Sequence, residues 1–199
     1  RAWWLRRMVQ TPHPLLEKMT LFWRHHFATS GAKAMGGGLI HRHVRLLRRH
    51  ALGSFAALLR GISQDPAVLV SLDASSNRKS RPGVHLARAL LERFTLGPGR
   101  CSEKDGEEVA RAFTGWFVIR GELRYLQREH DSGVKRVLGR EGAFAGEDVV
   151  RIVLEESATA RLVVRRLYRW LVSEVSEPAG DLIAPLAESF RRNYDIAAL

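Results

Sequence analysis

The hydrophobic and polar positions of this chain follow a helical spacing over most of its length, with apolar residues recurring at every third or fourth position. In the segment at about 14–29, for example, Leu15, Met19, Phe22 and His26 fall on one stripe. Prolines, glycines and polar turns separate one stripe from the next. The pattern predicts helices at about 2–9, 14–29, 39–60, from Pro66, 84–96, from Ser102 to Thr114, 147–156, 158–173 and 181–192.

One stretch departs from the helical spacing. In 117-FVIRGELRYLQ-127, two runs rich in β-branched and aromatic residues flank Arg120-Gly121, which predicts a small β-hairpin. Such a hairpin is not stable alone, so it should pack on the helices. We therefore predict an all-α fold: a single helical domain over 1–199, with about seven to nine helices and one small β-hairpin. Because helical patterns run to both ends of the sequence, we expect it to be a fragment of a longer chain.

Composition and charge narrow the class of protein. No apolar run reaches the ~18 residues that cross a bilayer, and no signal peptide is visible. The single cysteine, Cys101, excludes an intrachain disulfide framework and a cysteine-rich zinc site. The net charge of +11 favours anionic partners, and Arg42, Arg45 and Arg49 share one predicted helix face. Arginines are nevertheless spread along the whole chain, so the charge alone does not predict nucleic-acid binding.

The best local signal for chemistry is 130-HDSGVKRVLG-139. His130 is a candidate acid, base or metal ligand with Asp131 beside it, and Lys135 could neutralise an anion. The glycines would let backbone amides point toward a ligand. The alternative is an ordered turn in which Asp131 bonds its own turn amides and His130 packs.

A second set of polar residues lies on the predicted helix 84–96. His85, Arg88 and Glu92 share one face, which is either an exposed ion pair or part of a buried network. No metal motif is complete, because adjacent residues such as His25 and His26 point about 100° apart on a helix. The sequence also lacks a Walker loop and a Gly-x-Ser-x-Gly elbow, and it specifies no cofactor.

Several segments, in order and at the expected spacing, resemble one bacterial family, catalogued as domain of unknown function 1800. They are 15-LLEKMTLFWRHHFATS-30, 49-RHALGSFAALL-59, 65-DPAVLVSLD-73, 87-ARALLERFTLG-97, 109-VARAFTGW-116 and 130-HDSGVKRVLG-139. The resemblance implies a mostly helical domain without an established activity. It also implies an exported or periplasmic protein and a sulfatase-like partner encoded nearby.

The chain is a divergent member of the family that it resembles. Positions that depart from the family pattern are Arg24 for His, Gly83 for Asn, Val84 for Glu, His85 for Asn, Ala89 for Glu, and Cys101 for an aromatic residue. Retained positions are His26, Arg88, Glu92, Thr114-Gly115-Trp116, His130, Asp131, Gly133 and Lys135. The replaced acidic and amide residues leave it open whether this copy is an active enzyme.

The retained polar residues predict a site, because a buried polar cluster is costly unless its members are paired or bind a ligand. We expect one pocket with His130 and Asp131 in catalytic roles and a small anionic or metal-associated ligand bound by His26, Arg88, Glu92 and Lys135. One alternative is a non-catalytic interaction module of an exported protein. A second is nucleic-acid or anionic-surface binding through basic faces that include Arg161, Arg165 and Arg169.

Overall fold

The computed structural model describes residues 2–27 and 37–199. In these residues the chain forms ten α-helices and two small antiparallel β-hairpins. The prediction of a mostly helical fold is confirmed. The predicted numbers of elements, seven to nine helices and one hairpin, were too low.

The ten helices are unevenly spaced along the chain, and both hairpins lie between the seventh and the eighth helix. Their bounds are α1 Ala2–Gln10, α2 Pro14–His26, α3 Gly37–His50, α4 Phe55–Ser63, α5 Pro66–Ser71, α6 Val84–Arg88, α7 Glu103–Ala112, α8 Gly146–Glu155, α9 Ser157–Leu171 and α10 Gly180–Arg191. Helix α6 continues directly into a wider π-helical segment, Ala89–Thr95. The strands are β1 Trp116–Ile119, β2 Glu122–Tyr125, β3 Lys135–Val137 and β4 Arg140–Gly142.

The predicted helix 39–60 is two helices, because a turn separates α3 from α4. Ser54 caps α4 by accepting a hydrogen bond from the Ala57 amide. The turn is also bonded to the C-terminal segment, since the Phe55 amide donates to the Tyr194 carbonyl at 2.8 Å. The apolar stripe continues across the turn, with Ala51 and Phe55 both fully buried. Hydrophobic periodicity alone therefore could not reveal the break.

The β-hairpins both turn at a pair of residues with positive φ. Arg120 and Gly121 connect β1 to β2, as predicted, and Leu138 and Gly139 connect β3 to β4. The second hairpin was predicted to be a turn without strands. Its strands are only three residues long, which is too short for an alternating pattern to stand out in the sequence.

Aromatic side chains around α2 form the centre of the core. Trp23 and Phe27 stack on each other and pack against Phe55 of α4 and Phe94 of the π-helical segment. The Trp23 indole donates to the Ala51 carbonyl at 3.0 Å, so its polar atom is satisfied. This packing fixes the position of α2 relative to the helices that line the clefts described below.

The polar segment 73–83 is held to the β1 region by one buried side chain. Asn77 donates from its side chain to the Phe113 carbonyl and accepts from the Gly83 amide. Its backbone carbonyl accepts from the amide of Gly115, which lies in the left-handed region at φ +90. An added Cβ at Gly115 would lie 2.9 Å from Tyr125 and 3.1 Å from His130. The loop therefore requires glycine at this position.

We predict that Gly115→Ala destabilises the domain more than Gly139→Ala. Both positions have positive φ, which costs an L-residue about 1–2 kcal/mol. Only Gly115 is enclosed, since nothing lies within 4 Å of a Cβ at Gly139. The free energy of unfolding in urea, measured for both variants, tests the difference. Equal losses would show that the enclosure of Gly115 has no energetic effect.

Candidate functional site

A cleft of about 610 Å³ opens between α2, α9 and the end of the π-helical segment. We call it the cationic cleft. Its lining includes Lys18, His26, Arg93, Arg166, Arg169 and Glu174. Four of these side chains are cations and one is a carboxylate, so the electrostatic potential of the lining favours an anion.

The end of the π-helical segment positions the two central residues of the cationic cleft. The segment ends at Thr95, and the carbonyls of a last helical turn lack helical donors. Arg166 of α9 donates from Nη1 to the Arg93 carbonyl at 2.7 Å, and His26 of α2 donates from Nε2 to the Phe94 carbonyl at 2.9 Å. These two contacts join three helices at the wall of the cleft.

His26 is held as a neutral imidazole. Its Nε2 must carry the proton because a carbonyl only accepts, and its Nδ1 accepts from Arg166 Nη1 at 3.0 Å. A proton on Nδ1 would place two donors against each other. Burial, and then the charge of Arg166, lower the pKa of His26 from 6.5 to about 3. His26 therefore acts as a fixed acceptor for Arg166 at neutral pH.

Arg166 is a half-buried cation that no carboxylate contacts within residues 2–27 and 37–199. Burial and the nearby Arg93 guanidinium lower its pKa, which shows that its surroundings disfavour the charge. Only Nη1 makes hydrogen bonds in this part of the chain. The Nε and Nη2 groups form the planar edge that binds carboxylate, sulfate or phosphate in a bidentate manner.

A second polar cluster surrounds the hairpin β3–β4. Asp131 accepts from Arg111 at 2.7 Å and 3.2 Å and from the Gly133 amide at 2.9 Å. The Arg111 hydrogen bond is the main cause that lowers the pKa of Asp131 to about 2. Lys135 is almost fully buried and donates to the backbone carbonyls of Asp131 and Gly133. Arg111 and Asp131 therefore neutralise each other, and the Lys135 ammonium is satisfied by two backbone carbonyls.

His130 lies at the edge of the same cluster but is oriented by the backbone. Its Nδ1 donates to the Thr114 carbonyl at 2.9 Å, while the Thr114 hydroxyl accepts from the Asp131 amide at 2.8 Å. The Asp131 carboxylate is bonded to Arg111, so the residue beside His130 does not orient its ring. The Nε2 of His130 makes no hydrogen bond in the part of the chain that the structure describes.

Arg88 and Glu92 lie in a third place, a cleft of about 390 Å³ that Cys101 also lines. Arg88 is exposed and Glu92 is half-buried. No hydrogen bond or ion pair between described residues connects this cleft to His26 or to the loop of His130. The structure thus brings Asp131 and Lys135 together, and Arg88 and Glu92 together. It does not gather the six predicted residues by contact into one pocket.

The predicted arginine stripe lines a groove of about 950 Å³ between α1 and α3. The buried carboxylate of Glu17 lies against Arg48 at 2.7 Å and Arg7 at 3.6 Å. Arg42 binds Glu122 and the Gly121 carbonyl. Three of the arginines in this groove are therefore already paired with carboxylates, unlike Arg166.

The comparison with known families decides what the chain is related to. The model of the family described as "Protein of unknown function (DUF1800)" matches residues 1–199. The chain belongs to this family. No match was found among the curated proteins or among the solved structures.

The departures of this DUF1800 chain from the family pattern have local explanations. The Arg24 guanidinium packs over the Trp4 ring at 5.3 Å, which attaches α1 to α2. Val84 and Cys101 line the same cleft as the retained Arg88 and Glu92. Ala89 is buried in the core cluster, where an isolated acidic side chain would be costly.

Two important arginines of the DUF1800 chain were not predicted from its sequence. Arg166 is bonded to His26 across 140 positions, and Arg111 to Asp131 across 20. A weak signal existed for Arg166, which lies four positions before Trp170 at the edge of the apolar stripe of α9. No group of three His, Cys, Asp or Glu residues in the described ranges could hold a metal ion. None of the helices there combines the length and apolarity needed to cross a membrane.

We predict that His26 makes the DUF1800 domain less stable in mild acid. The pKa of His26 is about 3 in the folded protein, and the ordinary value of 6.5 applies to the unfolded chain. The contribution of neutral His26 to the free energy of unfolding is therefore complete above pH 6.5, and it is lost as the pH falls toward 3. His26→Gln keeps a donor for the Phe94 carbonyl without titrating. Between pH 7 and pH 4.5 the wild type should lose about 2 kcal/mol more of its free energy of unfolding than this variant. The exposed neighbour provides the control, His25→Gln, and equal losses in wild type and His26→Gln would contradict the assignment.

We also predict that Asp131→Asn destabilises the domain at neutral pH by about 1–2 kcal/mol, allowing for the partial exposure of the pair. Because Arg111 lowers the pKa of Asp131 from 3.8 to about 2, this contribution is complete above pH 4 and is lost as the pH falls through 2. Denaturant unfolding at pH 7, 4 and 3 measures it. A difference between wild type and variant that does not shrink toward low pH would contradict the ion pair.

Proposed function

We propose that this domain binds a small anion, presented as a carboxylate, sulfate or phosphate group, in the cationic cleft. The observation that carries the proposal is the half-buried guanidinium of Arg166. It is fixed through one nitrogen by His26 and the Arg93 carbonyl, and no carboxylate of the described residues neutralises it. A cation taken out of water is costly unless an anion pairs with it.

The surroundings of Arg166 support an anion more than they support another cation. Lys18 adds positive charge to the lining, whereas Arg169 is paired with Glu177 at 3.3 Å, and Arg93 lies close enough to disfavour the charge of Arg166. Lys18 and Arg166 face the same cleft, and two like charges there repel each other less when an anion binds between them. The positive charge of the lining therefore stabilises a bound anion.

In this proposal Arg166 is the binding residue and His26 is a positioning residue. The neutral imidazole accepts from Nη1, which turns the remaining edge of the guanidinium in a fixed direction. A histidine kept neutral by its two partners does not compete with Arg166 for the anion. The sequence predicted that His26 binds the ligand, and in this proposal it contacts Arg166 instead.

The other predicted site residues keep their status as predictions. His130 has a fixed ring tautomer, which a general base requires. Asp131 and Lys135 lie in the cluster around β3–β4, and Arg88 and Glu92 line the cleft that Cys101 also lines. Arg165 and Arg169 of the basic face both approach Glu177, which weakens the case for nucleic-acid binding there. The proposal is therefore for binding, without a reaction.

We predict that Arg166→Gln weakens the binding of inorganic sulfate at least about tenfold, the loss expected for a charge-assisted bidentate contact. The matched control is Arg161→Gln, because Arg161 lies exposed on the same helix and does not line the cationic cleft. Binding is measured by titration of the arginine Nε resonances at low ionic strength, with phosphate and acetate as further probes.

A fold control keeps this experiment decisive. Arg166→Lys retains the charge but not the planar edge, so it should bind sulfate with intermediate affinity. Far-ultraviolet circular dichroism and the melting temperature show whether each variant is folded. Absence of saturable binding by the wild type, or equal affinity in the Arg166→Gln and Arg161→Gln proteins, would overturn the proposal.

A further inference from the structure

An apolar cleft of about 320 Å³ adjoins the cationic cleft. It lies between α2, α9, α10 and the C-terminal segment, and its lining includes Leu15, Met19, Val164, Leu167, Leu186 and Ile196. Leu171 and Val172 line both clefts, so the two share a wall. Its volume lies within the range of small-molecule sites.

Helices α2 and α9 line both clefts. Each helix presents charged side chains to the cationic cleft and apolar side chains to the apolar cleft. On α2, Lys18 faces the cationic cleft, while Leu15 and Met19 face the apolar cleft. On α9, Arg166 and Leu167 divide in the same way, because adjacent helical positions point about 100° apart. The charged and the apolar surfaces are therefore only one helix width apart, and the wall that both clefts share connects them.

Part of the apolar lining is exposed in the structure. Leu15 is 52% exposed and Val172 is 68% exposed, whereas Met19 and Leu167 of the same lining are buried. A contiguous exposed apolar patch on a soluble domain marks a binding surface. Because this apolar lining adjoins a cationic cleft, a ligand that covers it can also place an anionic group in that cleft.

We infer that the anion bound at Arg166 carries a hydrocarbon chain, so that the ligand is a single-chain anionic amphiphile. This inference rests on the proposed function, because the head group would occupy the cationic cleft. The chain would pass over Leu171 and Val172 into the apolar cleft. A fatty acid and an alkyl sulfate or phosphate are ligands of this class.

The composition of the apolar lining favours an acyl chain over a peptide. Tyr168 is the single polar side chain among the described residues that line this cleft. A peptide inserted there would bury backbone N–H and C=O groups without partners, which is costly. A hydrocarbon chain has no polar groups to satisfy, and each buried methylene strengthens binding about fourfold.

The chain-length dependence of binding tests the inference. Inorganic sulfate, butyl, hexyl and octyl sulfate are titrated into the protein below their micellar concentrations by calorimetry. We expect the affinity to rise about fourfold per methylene until the apolar cleft is filled. Saturable binding of inorganic sulfate with no rise along the series would overturn the amphiphile while the proposed anion site stands.

Two exposed leucines provide matched variants. Leu15→Gln places an amide in the apolar cleft and should reduce the affinity for octyl sulfate at least about tenfold. Leu182→Gln alters a leucine of similar exposure, 44%, that lies outside the lining, and should bind like the wild type. Equal affinities for octyl sulfate in these two variants would overturn the inference.

Vesicles separate a free amphiphile from a membrane surface. The protein is sedimented with vesicles of phosphatidylcholine containing phosphatidylglycerol. We expect it to stay in the supernatant at physiological ionic strength and to bind octyl sulfate in solution. Co-sedimentation that Leu15→Gln does not reduce, together with flat chain-length dependence, would overturn the assignment of a free single-chain ligand.

Discussion

The hydrogen bonds at the end of the π-helical segment are the constraint on which the rest of the site depends. Two carbonyls that lack helical donors accept from His26 and Arg166, and this joins α2, the π-helical segment and α9 at one point. The aromatic packing of Trp23 and Phe27 holds α2 in place behind it. A wider helical turn at this point is consistent with a functional role, because such segments occur often at functional sites.

The helical part of the fold could be predicted from hydrophobic periodicity, because burial of one stripe per helix dominates the energetics. The failures occurred where periodicity carries no information. The turn before Phe55 keeps the apolar stripe in phase, so two helices read as one. The strand at Lys135–Val137 was missed because it is short and contains a buried lysine, which binds two backbone carbonyls instead of facing solvent.

Much less of the candidate site could be predicted. The stripe of α2 placed His26 on a buried face, and the family resemblance marked it as retained. Its partner Arg166 is 140 positions away, and nothing local in the sequence specifies such a pair. The retained residues of the loop at His130 proved to bind one another and the nearby Arg111. A need for a rigid loop thus explains the retention of these residues in the family as well as a reaction site does.

The net charge of the chain does not indicate where an anion would bind, whereas the positions of the carboxylates support the proposed site. With 32 Lys and Arg against 21 Asp and Glu, there are too few carboxylates for each cation to have one of its own. Most such cations are exposed, where water solvates them at little cost. Glu17 pairs with Arg7 and Arg48 in the groove between α1 and α3, and Asp131 pairs with Arg111. Arg166 is half-buried and its contacts in the described ranges are a neutral imidazole and a carbonyl, so desolvation is only partly compensated. Unlike the buried Lys135, which two carbonyls bind, Arg166 lines a cleft that an anion can enter. A bound anion is the simplest way for this fold to complete that compensation.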